Sequence, residues 1–82
     1  LKKAYGLSED DYAAMFAQQD GCCAICGKDQ IEFQKRFAVD HDHYTDQVRA
    51  LLCHPCNTAI GSLQDDPELL RTAADYIAAH RP

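Results

Sequence analysis

Two cysteine pairs, Cys23-Ala-Ile-Cys26 and Cys53-His-Pro-Cys56, constrain this chain more tightly than anything else in it. A C-x-x-C turn sets two thiolates at adjacent corners of a tetrahedron, and two such turns complete a four-cysteine zinc site. Gly27, directly after the first pair, suits a knuckle that bends the chain back sharply, because glycine adopts the required dihedrals freely. Size explains the need for a staple: one domain of 82 residues has only a marginal core of its own. Cys22 is read as a leftover, a small partly buried thiol. Pairing it with Cys26 leaves three intervening residues and loses the match to the second pair.

Other uses of these cysteines fit less well. A disulfide framework leaves one cysteine over and needs an oxidising compartment that nothing in the sequence indicates. Covalent haem attachment needs histidine directly after the second cysteine of a pair, where Gly27 and Asn57 stand. A redox pair lacks its βαβ context. A zinc deaminase needs His-x-Glu and Pro-Cys-x-x-Cys, and neither occurs. Zinc held by four thiolates keeps no open position, so its role is structural and any chemistry belongs to other residues.

The flanks read as helices. In "GLSEDDYAAMFAQQDG" the pattern predicts a helix over about 8–20, with Ser8 as N-cap, Asp11 at the acid position of a capping box and Gly21 terminating. Tyr12, Met15 and Phe16 share its core-facing side. "DDPELLRTAADYIAAH" predicts a second helix over about 66–80, with Asp66 as N-cap, Pro67 at the first helical position, and Leu69, Leu70, Ala73 and Ile77 on its buried side. Between them lie two candidate strands, around "FAV" before Asp40 and "QVRALL" before Cys53, and a helical stretch "NTAIGSL" opened by Asn57. The chain reads as one domain over 1–82 without internal repeats. Its basic opening lacks an apolar export segment and no stretch has the length of a membrane span, so a cytoplasmic setting is expected.

"VDHDH" at 39–43 holds two of the four histidines, between knuckles expected to pin both ends of a β-hairpin. Folding would bring the Asn57 amide oxygen toward this segment. An inventory of Asp, His and Asn suits a hard cation, and magnesium typically takes one or two protein oxygens and keeps its waters. Strand alternation puts Val39, His41 and His43 on one face and Asp40 and Asp42 on the other. For Asp40 and His41 to serve one site, the strand must end or bend near residue 40.

The run "CAICG…VDHDHYTDQVRALLCHPCNTAIG", over roughly residues 21–63, resembles the recombination endonuclease VII branch of the HNH, or ββα-metal, nucleases, which are well represented in phages. The resemblance implies a small α+β zinc-bound domain. Its ββα-metal core would be a β-hairpin and a helix held by Cys23, Cys26, Cys53 and Cys56 on structural zinc, with helices flanking both ends. It further implies metal-dependent cleavage of DNA phosphodiester bonds in a bacterial or phage-infected cell. Asp40 and Asn57 would hold a catalytic Mg²⁺ or Mn²⁺, and His41 would be the general base. His43 would touch the scissile phosphate or orient the site. Arg49 is a candidate phosphate contact, and Lys35 and Arg36 are read as hairpin-tip residues near the DNA backbone. Two positions depart from the family pattern: Asp46 and Ala50 stand where glycine is common.

Imidazole with an ordinary pKa near ~6.5 is largely neutral at pH 7, so His41 can accept a proton from an attacking water. Asp42 is read as a solvated or hairpin-facing acid and His54 as exposed. A formal net charge of −5 predicts weak, salt-sensitive DNA binding by this chain alone, with affinity coming from a homodimer partner or from flanking segments. The rival expectation is a noncatalytic zinc-ribbon-like module that binds DNA or protein. It accounts for the cysteines but leaves "DHDH" and Asn57 without a task.

Overall fold

A computed structural model describes residues 7–82; the basic opening of the sequence lies outside them. Helix α1 spans Glu9–Gln18. Its N-terminus closes with the expected capping box: the Asp11 amide donates to Ser8 Oγ and the Ser8 amide to Asp11 Oδ2, each at 3.1 Å. Glu9, Asp10 and Asp11 complement the positive end of its dipole. The helix ends where Asp20 and Gly21 turn left-handed, at φ 54 and 69. Gly21 is needed for space as well, because a Cβ there would meet the Phe16 ring at 3.2 Å.

The chain then forms the first cysteine turn and a short 3-10 turn over Gln30–Glu32 before entering strand β1, Ala38–His41. Strand β2, Val48–Leu52, returns antiparallel to it. Ala38 pairs with Leu52, Val39 with Leu51, and His41 with Val48. Two steps along β1 from Val39 to His41 thus match three along β2, so Asp40 faces both Arg49 and Ala50 across a bulge. The required break in strand alternation falls at residue 40, and β1 ends one residue later.

Helix α2 follows immediately, His54–Ser62, capped by the Cys53 backbone with Pro55 in its first turn. It starts three residues before the expected "NTAIGSL", because the second cysteine turn is itself the first helical turn. Left-handed Gln64 and Asp65, φ 62 and 55, reverse the chain. Helix α3 runs from Pro67 to Ala79, and the Asp66 carboxylate accepts from the Glu68 and Leu69 amides at 3.0 and 3.4 Å.

The buried core is Tyr12, Cys23, Phe37, Leu51, Leu52 and Cys53, with Met15, Phe16, Phe33, Val39, Cys56 and Ile60 packed around it. Phe37 is its hub, with the Phe16 and Phe33 rings each at 6.0 Å between centroids. The Tyr12 hydroxyl donates to the Phe37 carbonyl at 2.7 Å, joining α1 to the entry of β1. Gln19 makes a second join: its Nε2 donates to the carbonyls of Cys22 and Leu51, and its Oε1 accepts from the Leu51 amide, all at 2.9 Å. The expected buried side of α3 is a correction. Leu69 and Ile77 are exposed, Leu70 and Ala73 half-buried, and no α3 residue joins the core. The amphipathic pattern is present, but its Leu69 and Ile77 edge faces solvent.

Candidate functional site

The second cysteine turn arrives on β2 and α2, and the first is brought over it by the turn after α1. The Cys23 amide donates to the Lys28 carbonyl and the Gly27 amide to the Cys23 carbonyl, each at 3.0 Å, closing a tight loop. Gly27 sits at φ 75 with open space beside it, so backbone conformation alone explains glycine there. The ligand atoms of Cys23, Cys26, Cys53 and Cys56 all lie within 4.8 Å of one another. A tetrahedron with zinc–sulfur bonds of about 2.3 Å has edges of about 3.8 Å. Cys26 Sγ and Cys53 Sγ are 3.8 Å apart. These residues therefore fit a zinc ion, and Cys22 stands apart with its thiol on the Asp20 carbonyl.

The electrostatics of the four sulfurs are uneven. Burial pushes the Cys56 thiol up to about 12, with hydrogen bonds to Cys53, Cys23 and Cys26 adding to it. Burial also raises Cys53. At Cys23 burial acts in the same direction but is outweighed by backbone donors at Cys53, Cys26 and Ile25, and the thiol falls to about 6. The Ile25 amide points at Cys23 Sγ from 3.4 Å.

Strand β1 carries Asp40 and His41, and α2 packs against this strand. Among the described residues Asp40 is the one buried charged side chain, 8% exposed. Arg49, from the facing bulge, donates through Nε to Asp40 Oδ2 at 2.7 Å and through Nη2 to Oδ1 at 3.1 Å. The same guanidinium reaches Asp65 in the turn after α2, with Nη1 to Oδ2 at 3.1 Å and Nη2 to Oδ1 at 3.0 Å. Its pKa is raised, first by Asp40 and then by Asp65. Arg49, expected on phosphate, is thus shared between two carboxylates.

The hairpin tip is 42–47, built around Asp42. Its Oδ1 accepts from the Tyr44 and Thr45 amides at 2.8 and 3.1 Å, while its backbone pairs with Gln47 and Asp46, each at 2.8 Å. This acid, read as solvated or hairpin-facing, is the brace of the turn. The turn stacks His43 on His41, with centroids 5.6 Å apart and planes within 9°. His41 is half-buried and His43 exposed. Asp46 sits at φ 62, which explains why glycine suits that position, and its Oδ1 is 4.0 Å from His41 Nε2. Ala50 needs no positive φ and fits the bulge without strain.

Asn57 lies half-buried in the first turn of α2, one residue after the last cysteine. A carboxylate at Asp40 and an amide oxygen at Asn57 are donors of the hard type that magnesium or manganese accepts, although Arg49 covers both Asp40 oxygens in this conformation. Lys35 and Arg36 are not at the hairpin tip, which is a correction. They precede β1, and Arg36 turns to α1, 3.3 Å from Glu9 and 4.0 Å above the Tyr12 ring. His54 is exposed, as expected. Asp65 is the residue that sequence reasoning missed. The "QDDP" run signals a helix start, but the left-handed Gln64–Asp65 reversal that aims it at Arg49 contains no glycine to announce it.

Comparison with known proteins places this geometry in context. A family model described as recombination endonuclease VII matches residues 1–79. The chain is similar to the Gene 59 protein of Mycobacterium phage D29, at 43% identity over 74 residues, covering 89% of this chain and 44% of the relative. It is also similar to the Gene 59 protein of Mycobacterium phage L5, at 39% identity with the same coverage. The chain spans less than half the length of these curated relatives. No solved structure matches it. Among the described residues, no helix is long and apolar enough to cross a membrane.

Proposed function

Because this chain belongs to the recombination endonuclease VII family, we propose that it is a DNA endonuclease domain of the HNH type, with residues 1–82 forming a single nuclease unit. One observation carries the reading beyond family membership: "DHDH" stands at the bulged end of a hairpin that leads through the sulfur cluster directly into a helix bearing Asn57. A noncatalytic zinc module would leave a buried acid and two stacked imidazoles there without a purpose.

In this reading His41 accepts a proton from the water that attacks phosphorus. Its half-buried ring is held by the stack against His43, which limits the rotamers open to it. His43, exposed on the outer side, is free to meet the phosphate. Asp40 and Asn57 would hold a magnesium or manganese ion, which supplies stabilisation of charge on the phosphate and on the departing 3′ oxygen. The zinc site supports this arrangement without entering the chemistry, since four sulfurs fill its coordination.

The test is plasmid nicking with Mg²⁺ or Mn²⁺ by protein of confirmed zinc content. Wild type should nick, and His41→Ala should be slower by about 10²–10⁴-fold, the usual worth of a general base. Equal cleavage by both, or none by wild type in either metal, rejects the assignment.

A further inference from the structure

The carboxylate that this reaction reserves for a divalent ion is already engaged by a cation of the protein itself. Arg49 covers both oxygens of Asp40 in a fork, so an incoming ion and the guanidinium compete for the same lone pairs. Asp65 has no counterpart among the motif residues. Its side chain is only 10% exposed, and among the described residues its carboxylate meets no side chain except that of Arg49. Two poorly solvated carboxylates and one guanidinium leave the trio one negative charge in excess.

We propose that Arg49 is the resident cation of Asp40, and that Asp65 is the positioning residue that retains Arg49 at the site when a divalent ion displaces it. The inference rests on Asp40 being a ligand of that ion. Its logic is charge pairing. With Asp65 present, displacement leaves two compensated pairs, the ion on Asp40 and Arg49 on Asp65. Without Asp65, the displaced guanidinium gives up every charge-assisted hydrogen bond it makes to a carboxylate, and water reaches its 36% exposed side chain to replace only part of them. Arg49 then resists leaving Asp40, and the ion binds less well. The planar fork of arginine suits such an exchange, because it can drop one carboxylate while keeping two bonds to the other. Held in this way, the guanidinium stays beside the ion, where a DNA phosphate arrives.

The experiment measures Mn²⁺ binding by zinc-loaded protein with calorimetry, without DNA, in wild type, Asp40→Asn, Arg49→Gln, Asp65→Asn and the Arg49→Gln/Asp65→Asn double variant. Arg49→Gln should tighten Mn²⁺ by about tenfold, the equivalent of one charge-assisted contact, and Asp65→Asn should weaken it by a similar factor. In the Arg49→Gln background, Asp65→Asn should have little effect, because its action runs through Arg49. No tightening in Arg49→Gln, or an equal loss from Asp65→Asn in both backgrounds, overturns the proposal. Wild-type affinity in Asp40→Asn overturns the ligand reading itself, a separate outcome. Should Arg49→Gln lose zinc or helicity, the wild-type protein still decides: the Arg49 Nε–H resonance should shift on Mg²⁺ titration, and a resonance unmoved at saturating Mg²⁺ overturns the proposal.

Discussion

Asp42 accepts hydrogen bonds from the Tyr44 and Thr45 amides, and those two bonds, Tyr44 first, hold its carboxyl below the usual carboxylate range. A depressed folded pKa means that the contribution is complete above the ordinary value and is lost as pH falls through the folded one. Asp42→Ala should therefore lower Tm near neutrality, and the gap from wild type should narrow in acid, as read by thermal melts across pH. Asp46, four residues on, calls for the opposite change. At φ 62 it occupies a region that costs a side-chain-bearing residue energy, so Asp46→Gly should raise stability by about 0.5–1 kcal/mol in urea titrations. At this scale the sequence was partly legible. Asp40 and His41 could be singled out by residue type and neighbours, whereas the Asp40–Arg49–Asp65 trio could not, since it depends on a bulge and on a glycine-free left-handed turn.

Elements announced themselves where local hydrogen bonding decides them. Ser8 with Asp11, and Asp66 with Pro67, marked helix starts because each cap satisfies amides within three residues of itself. The start of α2 was hidden, since Cys53 caps it through its backbone conformation with no side-chain bond to read. The joins between elements were hidden too: nothing in the periodicity of α1 tells that the Tyr12 hydroxyl reaches the carbonyl of Phe37, twenty-five residues on. That bond is buried, so Tyr12→Phe leaves a carbonyl without its donor. A loss of about 1 kcal/mol is expected in chemical denaturation, with the fold retained.

For the molecule as a whole, the core is too small to stand alone. Among the described residues six apolar side chains are buried, two of them cysteines of the four-sulfur cluster, which leaves the domain little reserve if that cluster is not held together. Structural zinc contributes on the order of 10–16 kcal/mol in small domains, comparable to or larger than the roughly 5–15 kcal/mol that separates a native domain from its unfolded chain. Chelation should unfold the protein, visible as loss of helical circular dichroism that returned zinc reverses. Loading at pH 7 should also release protons, because Cys53 and Cys56 hold theirs tightly while Cys23, at about 6, is mostly thiolate. Calorimetry in buffers of different ionisation enthalpy reads this release. A sheet of two strands, finally, is all edge. Every outward amide and carbonyl on it is an invitation to a strand from another molecule. At Leu51, in the middle of the buried run, both groups are answered: Gln19 takes the amide and shares the carbonyl with the Ala24 amide. One glutamine thus imitates a third strand for one residue and leaves a neighbouring chain nothing to zip onto there. Gln19→Ala should reveal this as self-association in light scattering at temperatures where the helices are still intact.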